Sequence, residues 1–295
     1  MMSLFKRKKA GEEANTIPEA MDDITQTLLI PVKDEGEKTM CADAYETSQA
    51  EIASYTSIGT RKSQQDSICF DFGDFCTVCA VCDGMGGLTK GEVASATVIK
   101  AFSDWFDTEL EYELENPDMR VIGGKWSLML KDLNARLLEY GKQCHTNLGT
   151  TFTGMLFIED NYVIVHVGDT RAYQIGNEIT QLTTDQTFVA REIERGTMTP
   201  EQAKKDKRRN MLLQCVGASE KVEPEIITGT ARCGSYMLCS DGFRHEISAE
   251  EIRQALAPER LVNRQTMHKK TTQLIEQIKA RQEKDNISVI LIKAS

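Results

Sequence analysis

The sequence predicts an α+β layered domain, because short β-branched runs come in blocks, hairpin-length turns separate many of them, and long helical patterns fall between the blocks. The first block holds runs at 52–58, 67–72 and 77–82. Two helical patterns follow, at Gly91–Leu114, with Val98, Phe102, Trp105 and Phe106 on an apolar face, and at 127–144. The second block comprises 151–158, 162–167 and Arg171–Ile175, with Glu159-Asp160-Asn161 as a tight connection. Further strands are expected at 223–228, 236–239 and 287–292, and a third helix at about 260–281, where Leu261, Met267, Leu274 and Ile278 are loosely periodic. A parallel doubly wound sheet would instead show strict alternation of strand and helix.

The chain has 295 residues, 40% of them hydrophobic, enough for a sizeable buried core. Residues 1–50 are polar apart from a patch at Leu28, Leu29 and Ile30, and read as a disordered tail before a single domain at 51–295 without internal repeats. A net charge of −10 and a pI near 5.1 argue against nucleic acid as a partner, since phosphate backbones are bound by clustered Lys and Arg. An acidic protein that acts on phosphate esters would need metal cations to draw the anion in. No stretch approaches the roughly 20 apolar residues of a membrane span, and the N-terminus lacks a signal-peptide core. The expectation is a cytoplasmic monomer that is not transmembrane. The basic run at 6–9 is read as part of the solvated tail.

Nine cysteines form no disulfide framework, and Cys76, Cys79, Cys82 and Cys239 lie inside apolar runs as reduced core thiols. Cys76 and Cys79 make a C-x-x-C, but a spacing of three in a strand sends the two side chains to opposite faces, which argues against zinc.

The acidic residues fall in a pattern. The run 77–82 leads into Asp83-Gly84-Met85-Gly86-Gly87, the run 162–167 into Gly168-Asp169-Thr170-Arg171, and the run 236–239 into Ser240-Asp241-Gly242. A single Asp-Gly is ordinarily a turn. Repetition at strand ends points instead to rigid elements that present oxygen ligands beside glycine, where backbone approaches closely. Asp285 precedes its strand, and in an antiparallel sheet the start of one strand lies beside the end of the next, so Asp285 would join the other three. Four converging carboxylates would repel one another without cations, and all-oxygen ligation suits Mg²⁺ or Mn²⁺.

Six motifs occur in order: Arg61-x-x-x-Gln65-Asp66, Asp83-Gly84-Met85-Gly86-Gly87, Gly149-Thr150-Thr151, Gly168-Asp169-Thr170-Arg171-Ala172-Tyr173, Cys239-Ser240-Asp241-Gly242 and Asp285-Asn286. Together, over about residues 50–295, they resemble the metal-dependent protein phosphatases, the PP2C-type enzymes, in their bacterial form. The resemblance implies a β-sandwich of two antiparallel sheets flanked by helices, with two Mn²⁺ or Mg²⁺ ions at one edge. It implies that Asp83 bridges both ions, that the Gly84 carbonyl binds one, and that Asp241 and Asp285 bind the other. Asp169 matches a ligand of a third, weakly held ion, Asp66 a carboxylate that holds metal-bound water, and Arg61 the arginine that captures phosphate. Phosphoserine and phosphothreonine in proteins would then be the substrates, and a bacterial Ser/Thr kinase the opposing enzyme.

Two positions depart from the eukaryotic pattern. Gln65 stands where many eukaryotic relatives have glutamate, and Met85 where they have a histidine thought to protonate the leaving group. The segment at about 183–217 resembles the bacterial flap, with Thr199 as an N-cap, Pro200 at the first helical position, and a basic run of Lys204, Lys205, Lys207, Arg208 and Arg209. The alternative from another class is an inactive phosphatase fold that binds phosphoproteins. In the tail, Thr25 and Thr27 lie in an acidic segment and are candidate phosphosites for a phosphothreonine-binding domain.

Overall fold

The computed structural model describes residues 43–46, 50–73, 75–86 and 90–294. The basic run at 6–9 and both Thr25 and Thr27 lie outside the described residues. Two antiparallel sheets stack face to face. One has the order β1-β2-β12-β11-β8-β9, built from β1 (Asp43–Glu46), β2 (Ala50–Ser57), β8 (Arg171–Ile175), β9 (Ile179–Gln181), β11 (Gly234–Cys239) and β12 (Ile287–Ala294). The other has the order β10-β7-β6-β4-β3, built from β3 (Asp66–Phe72), β4 (Cys76–Gly86), β6 (Phe152–Ile158), β7 (Asn161–Val167) and β10 (Glu225–Thr230), with β5 (Leu148–Thr150) pairing the end of β4.

Strand periodicity sorts the apolar side chains into three layers. Cys76, Val78, Ala80 and Cys82 of β4 face α1 (Gly91–Leu114) and α2 (Met119–Gln143), where Phe102 meets Trp126 edge-on at 4.2 Å and Phe152 at 5.0 Å. Cys79 and Val81 of the same strand enter the middle layer with Met155, Ile164, Tyr236, Leu238 and Ile290, so the two cysteines of the C-x-x-C do face opposite ways. The third layer packs the far sheet, through Met237, Val289 and Leu291, against α6 (Ala249–Leu256) and α7 (Arg264–Ala280). The result is the helix–sheet–sheet–helix sandwich.

Several elements differ from the sequence reading. The chain already pairs at Asp43–Glu46, upstream of the boundary drawn at residue 50. β4 runs on to Gly86 because β5 pairs Gly84–Gly86, so Asp83 lies within the strand and not beyond its end. α2 begins eight residues before the expected start, at Met119, because the Asp118 carboxylate accepts from the N–H groups of Arg120 and Val121. Its Gly123 is no breaker there: a Cβ would lie 2.6 Å from Ile226, so glycine is what lets the helix rest on β10. α6 was not foreseen, although Ser248 and Glu251 form a capping box at its start.

Candidate active site

The periodicity that puts Cys79 and Val81 between the sheets continues to Asp83. On β3, Ile68, Phe70 and Phe72 pack against the same middle layer, and Asp66 is the direct cross-strand partner of Asp83. Like charges placed opposite each other in an antiparallel pair repel, and Asp66 is buried as well. The backbone of Asp83 is clamped: its N–H donates to Thr151 Oγ1 at 2.9 Å, and its carbonyl accepts from Thr151 N at 2.9 Å and Thr150 Oγ1 at 3.0 Å. That is what the Gly149-Thr150-Thr151 motif does. At Gly84 a Cβ would lie 2.3 Å from the Gly91 carbonyl oxygen, so α1 can begin against this strand only if residue 84 is glycine.

The other sheet delivers Asp241 and Asp285. Ser240 N donates to Ser288 O at 3.0 Å, so the end of β11 lies beside the start of β12, as the antiparallel argument required. Asp241 opens the single turn α5 (Asp241–Arg244), and a Cβ on Gly242 would stand 2.1 Å from the Asn286 carbonyl oxygen and 3.2 Å from Asp285 Cβ. Asn286, read from the sequence only as a companion of Asp285, pins the loop before β3. Its Oδ1 accepts from Gln65 N at 2.8 Å, and its Nδ2 donates to Ile58 O at 2.9 Å and Ser63 O at 3.1 Å. That loop carries Arg61, 54% exposed, whose Nη2 donates to Asp285 Oδ2 at 2.6 Å.

Asp169 follows Gly168, whose φ of +106° and contact with Thr151 exclude a side chain. Its carboxylate and carbonyl both accept from Arg244 Nη2 at 3.1 Å. Arg171 grips Asp185 with two bonds, Nε to Oδ1 at 2.6 Å and Nη2 to Oδ2 at 2.5 Å, at the start of the segment 183–217. Gln186 continues the attachment: its N–H donates to the Gly168 carbonyl, and its Oε1 accepts from Gly168 N, both at 2.8 Å. Within residues 183–217 are α3 (Phe188–Glu194) and the short α4 (Pro200–Ala203), which Thr199 and Gln202 cap reciprocally. α4 ends before the basic run, so those exposed side chains occupy turns and not a helix face. Sequence reasoning also passed over His245, which sits 3.5 Å from Asp241 and 3.4 Å from Glu283, one helical turn beyond Asp241.

All seven residues singled out from the sequence therefore lie along one edge shared by the two sheets. Burial raises the Asp83 carboxyl well above its ordinary range, and the charges of Asp241, Asp66, Asp169 and Asp285 raise it further. Burial likewise carries Asp66 up to about 7, opposed by the Ser288 and Ser240 hydroxyls and helped by Asp241 and Asp285, and carries Asp169 to about 6, helped by Asp241 and opposed by Arg244. Asp66 Oδ2 and Asp241 Oδ1 are buried without a hydrogen-bond partner. Buried, mutually repelling carboxylates with vacant lone pairs are the donor set a hard divalent cation satisfies. Among the described residues no three His, Cys, Asp or Glu side chains close into a ready-made cage.

Two stacked antiparallel sheets with an acidic edge between them are the frame of the metal-dependent protein phosphatases. Residues 55–291 match the family model Protein phosphatase 2C, and the chain belongs to that family. The serine/threonine protein phosphatase PstP of Mycobacterium tuberculosis is 37% identical over 180 residues, which are 60% of this chain but 34% of that protein, so the match spans about a third of its length. The Listeria monocytogenes serine/threonine phosphatase stp is 28% identical over 76% of this chain and 87% of its own. Among solved structures, the Staphylococcus aureus phosphatase Stp1 superposes with a TM-score of 0.71 at 27% identity, covering 88% of this chain and 99% of that one. The PstP catalytic domain, solved in complex with 2 manganese ions, gives 0.68 at 28% identity, covering 83% and 98%.

Proposed function

We propose that this protein hydrolyses phosphoserine and phosphothreonine in proteins at a centre of two Mn²⁺ or Mg²⁺ ions, opposing a bacterial Ser/Thr kinase. The observation that carries this reading is the buried Asp66–Asp83 pair, directly opposed across β3 and β4, with Asp241 and Asp285 facing it from the other sheet. Asp83, the Gly84 carbonyl, Asp241 and Asp285 would hold the cations. Once bound, such ions supply Lewis acidity and acidify a water that attacks phosphorus.

The remaining work falls to side chains of the chain itself. Asp66, with one carboxylate oxygen unpartnered, accepts from water and orients it. Arg61 spends one N–H on Asp285, which leaves the rest of its exposed fork to grip phosphate oxygens and hold the ester in line. No side chain has to form a covalent phosphoenzyme.

The test is Mn²⁺-dependent release of phosphate from a phosphothreonine peptide. Turnover by the wild type, abolished in Asp241→Asn, is expected. No turnover by the wild type would favour the phosphoprotein-binding alternative, and turnover unaffected by Asp241→Asn would remove the assigned site. Among the described residues no helix is long and apolar enough to cross a membrane.

A further inference from the structure

We infer that the Arg244 guanidinium occupies, on Asp169, the place a third cation would take, so that the centre holds two ions and no more. The inference rests on the binuclear reading above and concerns only how that centre is bounded. α5 is one turn long, and its i,i+3 spacing sets Arg244 on the same side as Asp241. From there Nη2 reaches both the Asp169 carboxylate and the Asp169 carbonyl at 3.1 Å, and lies 3.9 Å from Asp185 Oδ2. The side chains of Arg244, Asp169 and Asp185 are 14%, 11% and 13% exposed, so the contact is largely shielded from water.

Removing the guanidinium from this position is costly. A dication at Asp169 needs about six oxygens, several of them waters, in the space Arg244 fills. Displaced, Arg244 would have Asp185 left as an acceptor, and Asp185 is already gripped by Nε and Nη2 of Arg171. A buried arginine stripped of its carboxylate is strongly unfavourable. The same chain of charges, Asp169–Arg244–Asp185–Arg171, fastens the foot of the flap to the edge of the site, so the flap base stays tied down without an added ion.

The test counts bound Mn²⁺ on the full chain by equilibrium dialysis, with free ion followed by electron paramagnetic resonance into the millimolar range. The wild type is expected to bind two ions, and Asp169→Asn to leave that number unchanged. Arg244→Ser is expected to gain a third, weak site that Arg244→Ser/Asp169→Asn loses again. Three ions in the wild type, or no gain in a folded Arg244→Ser, overturn the inference alone. Fewer than two in the wild type would remove the binuclear centre itself. The wild-type count needs no variant, so a misfolded Arg244→Ser would not rescue the idea.

Discussion

Asp66→Asn is expected to stabilise the metal-free protein above neutral pH while it damages catalysis. Burial and neighbouring charges move the Asp66 carboxyl from an ordinary 3.8 to about 7 in the folded chain. A carboxyl raised on folding leaves stability intact below 3.8 and costs stability as pH climbs through 7, because the unfolded chain has already released that proton. At 1.36 kcal/mol per decade the full cost is on the order of 4 kcal/mol above pH 7. Asparagine keeps the shape and has no proton to lose. For a domain of this size each kcal/mol corresponds to about 2–4 °C, so the variant should melt on the order of 10 °C above wild type at pH 8 in chelator. At pH 4 the two should melt together. Added Mn²⁺ should raise the wild-type melting temperature at pH 8 and shrink the difference, since cations relieve the repulsion the substitution relieves. Scanning calorimetry of both proteins in EDTA and in Mn²⁺ at both pH values gives the curves to compare. A variant that is no more stable than wild type at pH 8, or equally stabilised at pH 4, would refute the reasoning.

Three further outcomes are expected. His166 is buried and neutral, its Nε2–H donating to the Thr184 carbonyl at 3.1 Å, and burial lowers its pKa to about 4. Its unfolded form takes a proton near 6.5, so stability falls by about 3 kcal/mol as pH drops from 6.5 to 4, and His166→Gln should flatten that acid limb in denaturant titrations. Asn286→Ala frees the loop that carries Arg61 by removing three hydrogen bonds, and should cost about 2–4 kcal/mol of stability and raise KM for a phosphopeptide tenfold or more, read by melting and steady-state kinetics. Gly242→Ala would place a Cβ 2.1 Å from the Asn286 carbonyl oxygen, so it should cost more than about 2 kcal/mol and lower Mn²⁺ affinity, measured by calorimetric titration.

The proposed ligands were legible because strand periodicity and aspartate beside glycine at strand ends are local signals. Asp83, Asp169, Asp241 and Asp285 each announce themselves within a few residues, and the antiparallel rule alone brings Asp285 to the others. Asn286 was not legible in the same way: its three bonds reach Ile58, Ser63 and Gln65, more than 200 positions away, and asparagine after aspartate looks like an ordinary turn. Arg244 and His245 were hidden for a different reason. Their partners Asp169 and Glu283 belong to other elements, so only the fold reveals the charges they meet. The start of α2 lies earlier than the pattern at 127–144, through Gly123 and Gly124, and the contact with Ile226 that calls for glycine at 123 is tertiary.

Asp66 and Asp83 ride on one sheet, Asp241 and Asp285 on the other, and the distance between the two sets is fixed by the fully buried side chains that fill the middle layer: Cys79, Val81, Met155, Leu238 and Ile290. On the binuclear reading proposed above, the interior of the sandwich is a spacer gauge for the ions. Adding or deleting a methylene there would retune metal affinity with every ligand left in place, and a bound pair of cations would in turn clamp the two sheets together.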